Sequence, residues 1–390
     1  MSDSLRASAS QVYVSAVMPC LNEEKTIGLC IEKAQRAFRE MGIAGEVVVA
    51  DNGSTDGSVS IAESLGARVV REPRKGYGSA LMAGIAAARG TIVVMADADD
   101  SYDWTALGEF VKKVEEGHDL VMGNRFKGGI EPGAMSALHR YLGNPVLSTL
   151  ARVMYRIPIA DFHCGMRAFS REAFDRMCVR TTGMEFATEM IVNASHAGLR
   201  IAEIPTRLYP DKRDRAPHLR SFRDGWRHLR FMLTYAPDWL YLLPGGILSL
   251  IGILGMALLA QGPLAVGEVK LGIHFLAVAS LFALLGANVI WFGLLARLTN
   301  ARRNPITADS NFGRLLKYFT LERGLMLGVG LAASGLAIDV WILLEWISRG
   351  YGDMRDTVHV AFVASTVFVL GINALFGVFL LNMVRDERIG

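Results

Sequence analysis

The first half of the chain alternates between short apolar runs and stretches of helical spacing. We interpret the runs at about 12–18, 46–50, 67–71 and 92–96 as strands, each followed by a helix. The run at 92–96 is dominated by β-branched residues and shows no polar alternation, which is typical of a strand buried on both faces. This order predicts an α/β domain with a mostly parallel sheet and helices on both of its faces.

The last part of the chain is dominated by long apolar runs. We predict transmembrane helices at about 240–260, 271–296, 325–344 and 358–383. At a rise of about 1.5 Å per residue, roughly 20 residues span the hydrocarbon core of a bilayer, and each run is at least that long. The sequence therefore predicts a four-helix transmembrane bundle, which we expect to self-associate into a homo-oligomer.

The segment between these two parts is basic and amphipathic. From residue 205 to 235 it holds eight Lys and Arg against three Asp. From Leu219 onwards its apolar residues fall at helical spacing with arginines between them, which is typical of a helix lying on an anionic membrane surface. The alternative is an ordinary amphipathic helix packed on the preceding domain. We therefore divide the chain into a domain at 1–217, a juxtamembrane helix at 218–238 and a transmembrane domain at 239–390.

The distribution of charge indicates which partners the chain can bind and how it is oriented in the membrane. The net charge of the 390 residues is only +3, which argues against nucleic acid as a partner. The loop at 297–323 holds six Lys and Arg, whereas the loop at 261–270 holds one. By the positive-inside rule we expect an integral protein of the cytoplasmic membrane, with the N-terminal domain, the 297–323 loop and both termini in the cytosol.

The strand at 92–96 runs directly into a cluster of carboxylates. The cluster consists of Asp97, Asp99, Asp100 and Asp103. Carboxylates this close repel one another unless a cation lies among them, and ligands bind at the carboxyl ends of strands in parallel sheets. We therefore expect Asp97 and Asp99 to hold Mg²⁺ or Mn²⁺, which prefer hard oxygen ligands, beside an anionic ligand. The alternative is an acidic turn in which an Asp caps the following helix.

The loops after the other predicted strands would lie along the same crevice. Asn22 and Glu23 can hydrogen-bond a base or a ribose, and Asp51 is placed to accept N–H groups of a nucleotide base. Lys75, together with the backbone of Gly76 at a helix N-terminus, suits a pyrophosphate. The glycine pattern is neither GxGxxG nor a P-loop, so dinucleotide and P-loop interpretations are weak.

Four motifs, in this order along the chain, carry a resemblance to a known family. They are Val17-Met18-Pro19-Cys20-Leu21-Asn22-Glu23, Asp51-Asn52-Gly53-Ser54-Thr55-Asp56-Gly57-Ser58, Gly76-Tyr77-Gly78-Ser79-Ala80-Leu81 and Asp97-Ala98-Asp99. On these motifs, residues 12 to about 235 resemble a family 2 glycosyltransferase with the Rossmann-like, nucleotide-sugar-binding GT-A fold. The stretches 123–126 and 161–169 are most similar to polyprenyl-phosphate glycosyltransferases of the dolichol-phosphate mannose or glucose synthase type.

The resemblance implies roles on the donor side. The residues that would hold the nucleoside are Pro19, Asn22, Glu23 and Asp51. Asp97 and Asp99 would hold the metal and the diphosphate of the sugar donor. Many relatives have Leu-Gln where this chain has Asp100-Ser101, so the third protein ligand of the metal would be Ser101 or Asp103, or water would take its place.

The resemblance also implies roles on the acceptor side. Arg125 would meet the acceptor phosphate or the donor diphosphate, and Arg140 follows on a nearby helix. In the family, basic residues of the segment before the membrane grip the lipid phosphate, and Arg213 and Arg220 are the candidates here. Membrane lipid is thus an expected partner beside the two substrates.

The expected reaction is the metal-dependent, inverting transfer of a hexosyl group from a UDP- or GDP-linked sugar to a polyprenyl phosphate at the cytoplasmic membrane face. A phosphate monoester has a second pKa of about 6 and is already anionic, so no general base is required. One alternative is a processive polysaccharide synthase, whose Gln-x-x-Arg-Trp signature does not occur here. Another is a non-catalytic membrane scaffold or a lipid flippase.

Overall fold

The computed structural model describes residues 12–212, 221–303, 312, 318–352, 354 and 357–386. The chain divides into two compact units, Met1–Met232 and Leu233–Gly390. The described part of the first unit is built around a seven-stranded sheet. The described part of the second contains four helices that are long and apolar enough to cross a membrane.

Strands and helices alternate along the first unit. The strands are β1 (Val14–Cys20), β2 (Gly45–Asp51), β3 (Arg68–Arg71), β4 (Ile92–Met95), β5 (Leu120–Asn124), β6 (Arg167–Ser170) and β7 (Ile201–Pro205). The helices are α1 (Ile27–Met41), α2 (Ser58–Ser64), α3 (Tyr77–Ala87), α4 (Leu107–Glu115), α5 (Arg125–Gly128), α6 (Asn144–Tyr155), α7 (Arg171–Met177), α8 (Phe186–His196) and α9 (Ser221–Tyr235). A 3₁₀ turn at Trp104–Ala106 leads into α4, and a π turn at His139–Gly143 leads into α6.

The sheet is mostly parallel, as the sequence predicts. Its strand order is β3-β2-β1-β4-β6-β5-β7, and β6 alone among these strands runs antiparallel to its neighbours β4 and β5. Cys20 at the end of β1 pairs with Asp51 at the end of β2, and Val17 pairs with Met95 at the end of β4. The loops after β1, β2 and β4 therefore leave the sheet at one edge.

Two apolar cores cover the two faces of this sheet. Side chains of successive strand residues point to opposite faces, so Val94 of β4 joins the core formed with α1 and α4. Its neighbours Val93 and Met95 join the core formed with α3 and α8. This is why the run at 92–96 has no polar alternation, since every position of β4 is buried.

Helix α9 packs against the first unit along one face. Met232 is buried in the core that contains α3 and α8, and Leu229 packs beside it. Tyr155 of α6 donates a hydrogen bond from its hydroxyl to the carbonyl of Met232, at 2.7 Å. Trp226 lies on another face and is 58% exposed. The face of α9 that carries Leu229 and Met232 therefore packs on the preceding domain, as the alternative interpretation expected. Trp226 lies on a different, exposed face.

The described part of the second unit consists mainly of four apolar helices, which confirms the predicted transmembrane bundle. They are α10 (Leu243–Leu259), α11 (Ile273–Arg303), α12 (Leu321–Ser348) and α13 (Val358–Asp386). Glycines let paired helices approach closely, since a Cβ on Gly252 of α10 would lie 2.2 Å from the backbone N of Ala283 in α11. A short hairpin, β8 (Leu264–Val266) and β9 (Val269–Leu271), connects α10 to α11 and was not predicted from the sequence.

Candidate functional site

A cavity opens at the edge of the sheet where β1, β2 and β4 end. Its volume is about 1080 Å³, just above the usual range for small-molecule sites and ample for a nucleotide sugar. The walls come from the loops after β1, β2, β4 and β5 and from α9. Ligand sites occur at this edge of parallel sheets, so the cavity is the candidate site.

The acidic loop after β4 presents its first carboxylates to this cavity. Asp97, Asp99 and Ser101 all line it. Ser101 donates from its backbone N to Oδ1 of Asp99, at 3.0 Å, and its hydroxyl donates to the same oxygen. Tyr77 hydrogen-bonds to Asp97, and burial, followed by the charge of Asp97, raises the pKa of this phenol well above its ordinary value. Both carboxylates are thus oriented by neighbouring side chains.

This donor set fits a divalent metal that is shared with a substrate. In the described part of the chain, no three His, Cys, Asp or Glu side chains surround a point that could hold a metal ion. Mg²⁺ is usually bound by one or two carboxylates together with substrate phosphates and water, rather than by a protein cage. Asp97 and Asp99 with the hydroxyl of Ser101 match that pattern.

The other two carboxylates of the cluster have structural partners. Asp100 is buried, has a positive φ of 62°, and accepts hydrogen bonds from the Nζ atoms of Lys33 and Lys212, each at 2.6 Å. It thereby ties the acidic loop to α1 and to the segment after β7. Asp103 accepts from the backbone N of Thr105 at 3.1 Å and caps the 3₁₀ turn. The capping alternative therefore holds for Asp103.

The four residues expected at the nucleoside fall into two pairs. Pro19 and Glu23 line the cavity. Asn22, at a positive φ of 57°, accepts from the backbone N of Thr55 at 2.7 Å through Oδ1. Asp51 accepts from the backbone N of Ser54 at 3.0 Å. In this structure Asn22 therefore joins the loop after β1 to the loop after β2, whereas Asp51 holds the turn of the loop that directly follows it.

Asn52 organises the approach to α3, a role that the sequence analysis missed. Its Nδ2 donates to the carbonyls of Glu72 and Arg74, each at 2.8 Å, and its Oδ1 accepts from the backbone N of Gly76 at 2.8 Å. The carbonyl of Asn52 also accepts from Nζ of Lys75 at 2.8 Å. One buried amide thus holds the whole segment that carries two of the expected diphosphate ligands.

Gly76 and Lys75 both line the cavity. A neighbouring loop packs closely on Gly76 and Gly78, which explains why these positions are glycines. A Cβ on Gly76 would lie 2.2 Å from the carbonyl O of Thr182, and one on Gly78 would lie 2.4 Å from that of Thr181. Since the backbone N of Gly76 is bonded to Asn52, it is not the free donor that the sequence analysis expected. The glycines serve close packing of the loop on the start of α3.

Arg125 lies in the cavity wall with a buried counter-ion behind it. Its Nε is 2.7 Å from Oδ2 of Asp161, its Nη2 is 2.8 Å from Oδ1, and its backbone N also donates to Oδ2. Burial by itself would raise the pKa of Asp161, but the charge of Arg125 outweighs it and holds that pKa below its ordinary value. The guanidinium is therefore charged and held in one orientation.

The structure describes only one of the three remaining arginines that were expected to bind the lipid phosphate. Arg140 is half-buried in the π turn, with its guanidinium carbon 5.6 Å from the centre of the Tyr141 ring, while its neighbour His139 lines the cavity. Arg213 and Arg220 lie outside the described residues. The cavity is instead lined by two arginines of α9 that were not singled out: Arg223 and Arg227.

The stretch at 161–169 contributes two further nitrogen-bearing side chains near the cavity, Arg167 and His163. Arg167 is fully buried and donates to the carbonyls of Phe162, Cys164 and Ala187. His163 lines the cavity, and its ring centre lies 4.8 Å from that of His228 in α9. Burial, followed by the charges of His228 and Arg125, lowers the pKa of His163 well below its ordinary value.

Comparisons with known proteins agree with this geometry. Residues 15–178 match the model of glycosyl transferase family 2, and residues 294–385 match the glycosyltransferase family 2 C-terminal transmembrane region. The low-salt glycan biosynthesis hexosyltransferase Agl6 of Haloferax volcanii is 40% identical over 379 residues, which cover 96% of this chain and 89% of that relative. The chain belongs to glycosyltransferase family 2, and it is a membrane glycosyltransferase with a GT-A catalytic domain.

Two further similarities each cover only part of this chain. A dolichyl-phosphate hexose transferase of Haloferax volcanii is 34% identical over 193 residues, which cover 49% of this chain and 81% of that relative. A crystal structure of glucosyl-3-phosphoglycerate synthase from Mycobacterium tuberculosis, in complex with Mn²⁺, UDP and glucosyl-3-phosphoglycerate, is 25% identical with a TM-score of 0.45. That similarity covers 59% of this chain and 80% of the other.

Proposed function

We propose that this glycosyltransferase moves a hexosyl group from a nucleoside-diphosphate sugar to the phosphate of a polyprenyl phosphate. The observation that carries the proposal is one cavity lined by both Asp97 and Asp99 and by Arg125 and Arg227. Carboxylates suit a metal-bound diphosphate, and arginines suit a second phosphate group. Two phosphorylated substrates could therefore meet in this cavity.

On the donor side, Asp97, Asp99 and Ser101 would hold Mg²⁺ or Mn²⁺. The metal, when bound, supplies Lewis-acid stabilisation of the leaving diphosphate. The protein's own contribution is orientation, because Ser101 holds one oxygen of Asp99 with two hydrogen bonds. Asn52 does the same for the segment with Lys75 and Gly76.

On the acceptor side, a phosphate oxygen would be the nucleophile. It is already anionic at neutral pH, because the second pKa of a phosphate monoester is about 6, and needs no general base. Arg125, held by Asp161, would align it by charge and by fixed geometry. A single displacement by this oxygen would invert the configuration at the anomeric carbon of the transferred sugar.

Helix α9 supports a lipid as the source of that phosphate. Arg223 and Arg227 line the cavity from this helix, and Trp226 between them is 58% exposed. Trp and Arg are enriched at the level of lipid headgroups. The similarity to a dolichyl-phosphate hexose transferase supports the same class of acceptor.

We further propose that the first unit and both termini lie in the cytosol, where nucleotide sugars are found. The excess of Lys and Arg in the 297–323 loop supports this orientation. In a cysteine-free variant, a single cysteine placed in the 297–323 loop should react with a membrane-impermeant thiol reagent only from the cytosolic side. A single cysteine placed in the 261–270 loop should react only from the opposite side. Reaction of the 261–270 cysteine from the cytosolic side would contradict the orientation, and crosslinking in the same membranes would test self-association.

The proposed function is tested with the purified full-length protein, Mn²⁺ or Mg²⁺, a polyprenyl phosphate and a panel of labelled nucleotide sugars. One sugar label should enter the lipid phase as a single hexose. A polymeric product would favour a processive synthase, and lipid movement without transfer would favour a flippase. Transfer to a water-soluble acceptor with none to lipid would overturn the proposal.

A further inference from the structure

His163 has a ring nitrogen that is buried without a partner. The side chain lines the cavity, yet its Nε2 is out of contact with solvent and hydrogen-bonds to none of the described residues. A buried polar atom left unpaired is unfavourable, and native proteins contain few of them. Because the residue lines the cavity, a small turn of its ring would let Nε2 reach a partner that the substrate brings.

The backbone of His163 is positioned by the same carboxylate that holds Arg125. Oδ1 of Asp161 accepts from the backbone N of His163 at 3.3 Å and from Nη2 of Arg125 at 2.8 Å. Asp161 is completely buried, so this arrangement is screened from water. One buried carboxylate therefore holds both the backbone of His163 and the guanidinium of Arg125.

Helix α9 closes the other side of His163. The two histidine rings meet edge to face, with centres 4.8 Å apart, and Nδ1 of His228 lies 3.0 Å from Oγ1 of Thr188. Arg227, the residue before His228, lines the same cavity. Helix α9 therefore packs on the His163 ring through His228, and its Arg227 lines the same cavity.

These neighbours favour an anionic oxygen as the missing partner. Arg125 carries a positive charge, and a cation would meet repulsion beside it. The low pKa of His163 leaves its imidazole neutral at neutral pH, and a neutral imidazole can donate one N–H to a phosphoryl oxygen. Asp161 links the backbone of His163 to the guanidinium of Arg125, which is the residue expected at the acceptor phosphate.

We propose that Nε2 of His163 donates a hydrogen bond to a phosphate oxygen of the polyprenyl phosphate, beside Arg125. This inference rests on the proposed function, because it assigns a ligand to the acceptor of that reaction. His163 then helps to orient the nucleophilic phosphate and does not act as a general base.

The test compares three variants of the full-length enzyme, with farnesyl phosphate as acceptor and the nucleotide sugar that the wild type uses. His163→Phe keeps the ring shape and removes the donor. The KM for farnesyl phosphate should rise about tenfold to a hundredfold, the range expected for a hydrogen bond to a charged group. The KM for the nucleotide sugar should stay unchanged. His163→Gln, which retains an N–H donor near the position of Nε2, should recover most of the loss.

His118→Phe is the matched control, because His118 precedes β5 at the opposite edge of the sheet and should leave both KM values unchanged. The thermal midpoint of His163→Phe should equal or exceed that of the wild type, since an unpaired buried nitrogen is replaced by carbon. If the phenylalanine variant fails to fold, the acceptor KM of His163→Asn decides in its place.

Three results would overturn the inference. These are an unchanged KM for farnesyl phosphate in His163→Phe, a rise in the KM for the nucleotide sugar alone, and a lack of rescue by His163→Gln. If the wild-type enzyme transfers sugar to no polyprenyl phosphate, the proposed function itself is overturned. The wild type is therefore assayed before any variant is made.

Discussion

Arg125 and Asp161 form an ion pair with both ends withdrawn from water. The side chain of Arg125 is 9% exposed and that of Asp161 is fully buried, with Nε and Oδ2 at 2.7 Å. Arg125 follows β5, whereas Asp161 lies in the loop that precedes β6. The pair therefore joins two segments far apart in sequence at the wall of the cavity.

Replacing Asp161 by Asn should strongly destabilise the first unit. The change leaves a buried guanidinium without its counter-ion, and breaking such a pair costs about 3–5 kcal/mol. The fluorescence of Trp104, which is completely buried in this unit, can follow thermal unfolding of the full-length protein. Asp119→Asn is the control, since the hydrogen bond that Asp119 accepts from the backbone N of Arg200 is exposed. Equal midpoints for the two variants would argue against the ion pair as a structural element.

Replacing Asp99 by Asn should abolish transfer while the protein still folds and inserts into the membrane. Loss of metal-ion stabilisation of a leaving group is worth several kcal/mol, which corresponds to a decrease in kcat of about a thousandfold. Asp103→Asn is a matched control from the same acidic cluster, because Asn caps helices about as well as Asp. Full activity of the Asp99 variant, or equal losses in both variants, would remove the basis of the donor-site assignment.

Replacing Asn52 by Ala should weaken donor use more than acceptor use. The change frees the segment with Lys75 and Gly76 from the amide that holds it, and a displacement of about 1 Å can reduce the rate roughly a hundredfold. Steady-state kinetics should show a lower kcat/KM for the nucleotide sugar. Asn193→Ala removes another buried amide, which donates to the carbonyl of Met177, and should leave that ratio unaffected. A loss of donor use in both variants would indicate general destabilisation instead.

The stability of the first unit should fall on mild acidification. Burial, followed by the charges of His228 and Arg125, keeps the pKa of His163 well below its ordinary value, while Asp161 acts in the opposite direction. Below about pH 6.5 the unfolded chain binds a proton at this residue and the folded chain does not. This contribution is therefore fully present above that pH and is lost as the pH falls towards the folded pKa.

Thermal midpoints at about pH 7 and pH 5 measure this effect, since that interval contains the ordinary titration of histidine. The decrease should be smaller in His163→Phe than in the wild type. The same decrease in both proteins would assign the pH dependence to other groups.

The amino-acid sequence by itself determined the features that depend on neighbouring residues. The apolar run of β4, the acidic residues that follow it and the four long apolar runs are each continuous in the chain. Periodicity and hydrophobic length report directly on such features. The mostly parallel sheet, the family and the four membrane helices were therefore predicted correctly.

Only the tertiary structure decided which polar side chains hold one another. Asp100 accepts from Lys33 and Lys212, which are remote in the sequence, and the contact of His163 with His228 arises because α9 packs on the first unit. No local pattern encodes these contacts, since each depends on how strands and helices come together. The sequence named Asp99 as a candidate ligand by its neighbours in the chain, but the roles of Asn52 and Asp161 follow from hydrogen bonds that exist only in the folded protein. The proposal for His163 follows from a buried ring nitrogen that has no partner among the described residues.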